Sequence, residues 1–345
     1  MKIEDVLRLV RKNISGLAPY STARDEYKGA LGVFLDANEN PFENGYNRYP
    51  DPRQQKLKEI ISNIKSVPAE QIFVGNGSDE AIDLCYRIFC EPRVDNVVTI
   101  SPTYGMYRVA ADINDVEVRE VALNSDFSLP IEQLLATCDE HTKLMFVCSP
   151  NNPSGNIYPI EQIKQLLDSF SGILVVDEAY IDFANQNSVA TLLSEYKNLI
   201  VLQTLSKAYG LAALRLGLAF ADESVMQLFA KVKYPYNINL AGMEQAAVLL
   251  KRDVRAEIEK LKNERERLSA ELVNIPGVLH VYPSDANFIL VKIENARDVY
   301  DFLIAQQIIV RDRSHVPGCE DCLRITVGTP AENERLIAVM KNRDK

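Results

Sequence analysis

The sequence predicts an α/β protein: a mostly parallel, doubly wound sheet in a large domain, followed by a smaller α+β domain. Three observations carry this expectation. Short, largely apolar runs at 96–100, 143–148, 173–177 and 198–203 alternate with helical patterns across residues 70–220. These runs lack polar alternation, as strands buried on both faces do. Polar or glycine-rich turns stand at their carboxyl ends, where open sheets of this kind bind ligands.

Taken in order, the chain opens with an amphipathic stretch at 3–10 and a loop through Pro19 and Tyr20. Residues 31–35 read as a short strand ending in the polar turn around Asn38, and Pro50 and Pro52 break regular structure after Tyr49. A strand at 72–74 runs into Gly75-Asn76-Gly77-Ser78-Asp79, with a helix to about Phe89 and Ser78 as its N-cap. Backbone N–H groups at such a helix start suit a phosphate. Ser101-Pro102-Thr103-Tyr104 ends the next strand, Ser149-Pro150-Asn151-Asn152 the next, and Asp177-Glu178-Ala179-Tyr180 the one after. Helical patterns at 131–135, 160–170 and 189–196 separate them. Residues 241–273 form one or two helices up to Asn274-Ile275-Pro276-Gly277. Strands at 278–282, 288–292 and 323–327 and helices at 296–306 and 332–341 then make the smaller unit. The expected division is an N-terminal arm, 1–30, that completes the small domain, a large domain, 31–240, and a small domain, 241–345.

Composition narrows the function. A net charge of −10 argues against a nucleic-acid partner. No apolar run reaches membrane-spanning length, and Met1-Lys2-Ile3-Glu4-Asp5 does not read as a signal peptide. Six cysteines without dense spacing suggest reduced thiols and a cytoplasmic protein. Cys319 and Cys322 form a CxxC after His315, the pattern of half a zinc site or a redox pair. No second pair completes a metal set and the pair precedes a strand rather than opening a helix, so no metal is expected. Cys85, Cys90, Cys138 and Cys148 are expected to pack in the core.

The chemistry centres on Thr204-Leu205-Ser206-Lys207, just past an apolar strand, with Arg215 further along the same small-residue loop. Desolvation beside a second cation depresses an ammonium pKa and frees the amine as a nucleophile. Asp177, at another strand end, faces the same crevice. A carboxylate can keep a ring nitrogen protonated and a lysine can condense with an aldehyde, a pairing that pyridoxal 5'-phosphate requires. Taken singly, each residue also has a plain reading: a surface lysine, a capped helix, or a loop tyrosine at Tyr104. Arg324 interrupts an apolar strand, where a guanidinium needs a partner: a structural ion pair or a substrate anion.

Several ordered motifs together resemble the fold-type I pyridoxal-phosphate aminotransferases. They are Ser206-Lys207 with Arg215, Asp177-Glu178-Ala179-Tyr180, and Ser149-Pro150-Asn151-Asn152-Pro153-Ser154-Gly155. Within that group, Pro102-Thr103-Tyr104-Gly105-Met106-Tyr107 and Cys322-Leu323-Arg324-Ile325-Thr326-Val327-Gly328-Thr329 look most like the histidinol-phosphate aminotransferases. The resemblance spans Pro19-Tyr20 to beyond Thr329 and implies pyridoxal 5'-phosphate as cofactor. It implies that Lys207 bonds the cofactor and shuttles a proton, and that Asp177 meets the ring nitrogen. It further implies that Tyr104 stacks on the ring and that Asn152 and Tyr180 bond its phenolic oxygen. Gly77, Ser78, Asp79, Ser206 and Arg215 would surround the phosphate. Arg324 and Arg311 would take the substrate's anionic groups. Tyr20, Asn38 and Tyr49 would line the substrate or reach the cofactor phosphate of a partner, because the family forms homodimers through its N-terminal arm.

The expected reaction is transamination between L-histidinol phosphate and 2-oxoglutarate, giving imidazole acetol phosphate and glutamate. Threonine-phosphate decarboxylases and aromatic amino-acid aminotransferases resemble the same motifs. A non-catalytic scaffold or regulator of this fold usually loses the lysine or gains a basic DNA-binding extension; this chain keeps Lys207, Asp177 and Arg215 and has no such extension.

Overall fold

The computed structural model describes residues 1–18 and 32–343. Its centre is a seven-stranded sheet ordered β1-β7-β6-β5-β4-β2-β3. These strands are β1 (Ile72–Asn76), β2 (Asn96–Ser101), β3 (Glu117–Ala122), β4 (Thr142–Cys148), β5 (Ile173–Asp177), β6 (Leu199–Thr204) and β7 (Leu216–Phe220). Strands β2 to β6 are mutually parallel wherever they pair, and β7 alone runs against both of its neighbours, β1 and β6. The reason is chain length. Loop 205–215 is too short to carry a crossover, so β7 returns beside β6 in the opposite direction.

The apolar strands serve two cores at once. In β5, Leu174 and Val176 point to one side of the sheet and Ile173 and Val175 to the other. In β4, Met145 and Val147 share the first side, and Leu144, Phe146 and Cys148 share the second. Helices Ser78–Phe89 and Glu223–Val232 seal the second core, while Gln55–Lys65 and Ile160–Ser169 cover the first. β3 carries mostly exposed or half-exposed residues, so its sequence shows no apolar run to mark it as an edge strand.

A second, antiparallel sheet is ordered β10-β11-β9-β8, with β8 (Val278–Val281), β9 (Phe288–Ile293), β10 (Arg311–Asp312) and β11 (Cys322–Thr326). Leu268, Leu272, Ile289, Val291, Leu303, Leu323 and Leu336 form its core with helices Arg255–Leu272, Ala296–Ala305 and Pro330–Lys341. Cys319 and Cys322 are buried free thiols beside Phe127 and Leu290. Among the described residues no cluster of His, Cys, Asp or Glu could hold a metal, and no helix is long and apolar enough to cross a membrane.

Four expectations need correction. Residues 32–35 are not a strand: Val33 and Leu35 are 88% and 87% exposed, and neither joins a sheet. The N-terminal arm does not complete the smaller unit in its described part. Val6, Val10 and Ile14 instead bury their amphipathic face in the core of the large sheet. The run 241–273 does form two helices, Leu240–Leu249 and Arg255–Leu272, but the first packs Met243 and Ala246 into the large core instead of opening the small domain expected from 241. The pattern at 189–196 yields only the short 3-10 turn Val189–Leu192, which Ser188 caps.

One contact couples the sheet to the ligand-facing edge. A Cβ added at Gly217 in β7 would lie 2.0 Å from the Ser78 nitrogen and 2.1 Å from the Gly77 carbonyl carbon. Only glycine lets β7 press against that turn. Gly217→Ala is therefore expected to destabilise the protein by about 3 kcal/mol, the upper range for overpacking, with urea unfolding as the measurement. An unchanged midpoint would show that the turn yields freely.

Candidate active site

Because β1, β2, β4, β5 and β6 run in one direction, their carboxyl ends open on one edge. The segments that follow them enclose a cavity of about 160 Å³, lined in part by Gly77, Tyr104, Asn152, Asp177, Lys207 and Arg215. Ser78, Asp79, Tyr180 and Ser206 complete the set of expected residues that meet there.

Asp177 is the last residue of β5 and is 2% exposed. The Tyr107 hydroxyl donates to its Oδ2 at 2.8 Å, and the Ala179 N–H donates to Oδ1 at 3.0 Å. Burial still pushes the carboxyl up to about 6 against the opposing pull of these bonds. Lys207 lies across the cavity, its Nζ 5.7 Å from the centre of the Tyr180 ring. Burial, then the Arg324 and Arg215 guanidiniums, lower its pKa, so a larger share of its amine is free at neutral pH than in a solvated lysine. The site thus holds an acid without a cation in contact and an amine pressed toward neutrality.

The far end suits an anion. Gly77 has φ +76° and precedes the twelve-residue helix Ser78–Phe89. Ser78 is the first helical residue rather than the cap, and no side chain caps this helix, so its leading N–H groups are left for a ligand. Arg215, at φ +55°, accepts the Gly77 N–H on its carbonyl at 2.6 Å, and its Nη2 lies 3.8 Å from Asp79. A Cβ at Gly77 would come within 2.7 Å of that guanidinium, so the glycine keeps the cradle open. Tyr104 flanks the cavity and donates to Asp79 Oδ1 at 3.0 Å.

Packing behind the cavity fixes these loops. Glu178 accepts from Ser188 Oγ, from Val189 N at 2.7 Å and from Gln203 Nε2 at 3.0 Å, and burial raises its pKa to about 7. Lys65 donates to Asp182 at 2.8 Å and lies 4.9 Å from the Tyr209 ring centre, tying the loops after β5 and β6 together. On the open side, Arg324 of β11 donates to Asn152 Oδ1 at 2.5 Å and sits 5.2 Å over Phe288. Asn152 is therefore already engaged through its oxygen, and the smaller sheet joins the site through this bond.

Not every expected residue comes here. Asn38 and Tyr49 line a separate groove, where Tyr49 stacks on Tyr236 at 4.4 Å between ring centres. Arg311 is exposed on β10, opposite Arg324. Tyr20 falls outside the described residues. Tyr107, which holds Asp177, has no role in the reading of the sequence. Its place three residues after Tyr104, in the first turn of helix Met106–Ile113, is the signal that could have found it.

The two raised carboxyls have a measurable consequence in the ligand-free chain. Both folded pKa values, about 6 for Asp177 and about 7 for Glu178, exceed the ordinary values of 3.8 and 4.5. Their stabilisation is thus complete below pH of about 4 and is lost as pH rises through 6 and 7. Asp177→Asn should remove up to about 3 kcal/mol of that loss, read as urea-unfolding free energy at pH 4 and pH 8. An equal drop in wild type and variant would contradict it.

Comparison with known proteins agrees with this geometry. A family model for aminotransferase class I and II matches residues 33–340. The chain is 51% identical over 336 residues to a histidinol-phosphate aminotransferase from Bacteroides thetaiotaomicron, covering 96% of this chain and 97% of that one. It is 52% identical over 342 residues to the enzyme of the same name from Parabacteroides distasonis, covering 99% of each. Its backbone is similar, at TM-score 0.78 and 25% identity over 85% of this chain and 82% of the other, to a Sinorhizobium meliloti histidinol-phosphate aminotransferase in complex with pyridoxal-5'-phosphate. This chain belongs to the class I and II aminotransferase family.

Proposed function

We propose that the chain is a pyridoxal-phosphate-dependent aminotransferase that moves the amino group of L-histidinol phosphate to 2-oxoglutarate, yielding imidazole acetol phosphate and L-glutamate for histidine biosynthesis. The observation that carries this is Lys207 facing a buried Asp177 across one cavity with an anion cradle at its end. Relatives about half identical over nearly their whole length bear the corresponding name.

The donor set fits the cofactor. Ser78, Ser206, Arg215 and the N–H groups after Gly77 would hold its phosphate, with Asp79 beside Arg215. Tyr104 would flank the ring, and Asn152 and Tyr180 would face its phenolic oxygen. Asp177, costly as a buried carboxylate, gains a cationic partner if the ring nitrogen is protonated. When bound, pyridoxal 5'-phosphate supplies a carbonyl carbon that carries the amino group and a ring that accepts electrons from the substrate Cα. Lys207, whose lowered pKa favours the free amine, would be the residue that bonds the cofactor and, as a free amine, the base that takes the proton from the substrate Cα. Asp177 would keep the ring nitrogen protonated. Arg324 and Arg311 orient the substrate through its anionic group, in the charged fork geometry of guanidinium.

The same reading makes the protein a cytoplasmic homodimer in which Tyr20, Asn38 and Tyr49 serve the neighbouring copy. Support comes from the apolar residues Val33, Leu35 and Phe42, which are 80–88% exposed near the groove of Asn38 and Tyr49. Light scattering at micromolar concentration is expected to give the mass of two chains; the mass of one would remove this part.

The loaded protein should form glutamate from histidinol phosphate and 2-oxoglutarate. Lys207→Ala should lower that rate by about 10⁴-fold, the reach of a positioned acid–base group. Borohydride treatment should attach the cofactor irreversibly to the wild-type peptide containing Lys207 and leave the variant unmodified. Carbon dioxide released from phosphothreonine, with no glutamate formed, would replace the reaction proposed here by a decarboxylation.

A further inference from the structure

The edge of the smaller sheet gathers positive charge without visible compensation. Arg311 on β10 lies directly opposite Arg324 on β11, and the Arg313 N–H follows with a 2.9 Å bond to the Cys322 carbonyl. Side chains alternate along a strand, so Arg311 and Arg313 share one face and Asp312 takes the other. Asp312 accordingly lies 3.6 Å from Arg297, away from the arginine group. Like charges facing each other across a strand pair are destabilising.

Nothing acidic offsets them among the described residues. Burial lowers the Arg313 pKa, as do Arg324 and Arg311, and only the neutral Cys319 and Tyr180 groups oppose this. Arg324 is likewise lowered by burial, with Arg311 adding to it. The Nε atoms of Arg313 and Arg324 are buried and have no hydrogen-bond partner. Arg313 also acts on Tyr180, which lines the cavity of Lys207. Three guanidiniums on one face, two with buried donors unused, describe a site made for a multiply charged anion.

We propose that Arg313 is a third guanidinium of the substrate's anion site and selects a phosphate ester over a carboxylate. This rests on the function proposed above and assigns a residue which that reading leaves without a role. The chemistry of the two substrates explains why a third is needed. Phosphorus in histidinol phosphate lies three bonds from the carbon bearing the amine, whereas the α-carboxylate carbon of glutamate lies one bond away. The phosphate therefore reaches further from Lys207, carries up to two charges and offers three terminal oxygens. A carboxylate's two oxygens are filled by one guanidinium fork, which Arg324 provides; the additional charge and oxygens fall to Arg313 together with Arg311, which lies opposite Arg324.

The test uses the protein loaded with pyridoxal 5'-phosphate. Arg313→Gln should raise KM for histidinol phosphate at least about tenfold, the low end for losing a charged hydrogen bond. It should leave kcat and the KM for glutamate within about threefold. Calorimetric binding of inorganic phosphate to the loaded protein should weaken in parallel, and Arg313→Lys should restore part of both losses. An equal rise of both KM values, or no change in phosphate binding, would overturn the proposal while leaving the function intact. If wild type forms no glutamate from histidinol phosphate, the function fails instead, and the phosphate titration alone decides the role of Arg313.

Discussion

Asp177 occupies the last position of a central strand, sealed from water by the sheet around it and held by one tyrosine hydroxyl and one backbone amide. Desolvating a carboxylate is costly, and two neutral donors do not cancel that cost. The cavity beyond it is therefore a place where a cationic partner for Asp177 is favoured, while partial desolvation and the Arg324 and Arg215 guanidiniums disfavour the ammonium form of Lys207. Much of the surrounding architecture follows from keeping these two groups apart on one cavity, with Asp177 sealed from water. The tight loop between β6 and β7, the buried Glu178 network and the Lys65–Asp182 pair all hold the segments that carry them.

What could be read from the chain beforehand depended on how local the physics was. The central strands declare themselves because burial on both faces removes polar residues from them, and β5 with its terminal Asp177 is the plainest case. Lys207, Arg215 and the Gly77–Ser78 turn were legible for a similar reason: each lies within a few residues of a strand end. Tyr107 was not, because its function arises from a bond across 70 positions of sequence. The segment 32–35 misled because its residues favour strands intrinsically, yet a strand also needs a partner edge, and propensity alone does not supply one. The N-terminal arm misled differently. An amphipathic stretch reveals that one face is buried, but not which core receives it.

The smaller sheet contributes by a different logic. Its arginines are spaced along two short strands, and their meaning appears only once β10 is laid against β11. Sequence marks Arg324 because it interrupts apolar neighbours; it gives no such mark to Arg313, which follows an aspartate in a polar loop. Pairing of the strands turns separate charges into one field.

The reversal of β7 has a wider meaning. Since β6 and β7 are joined by one short loop, Lys207 and Arg215 sit on a single piece of the chain, whereas the arginines proposed to meet the substrate belong to another sheet. Inheritance can then rewrite what the protein accepts by altering the second piece alone. An ancestral chemistry would stay untouched while its clientele changed.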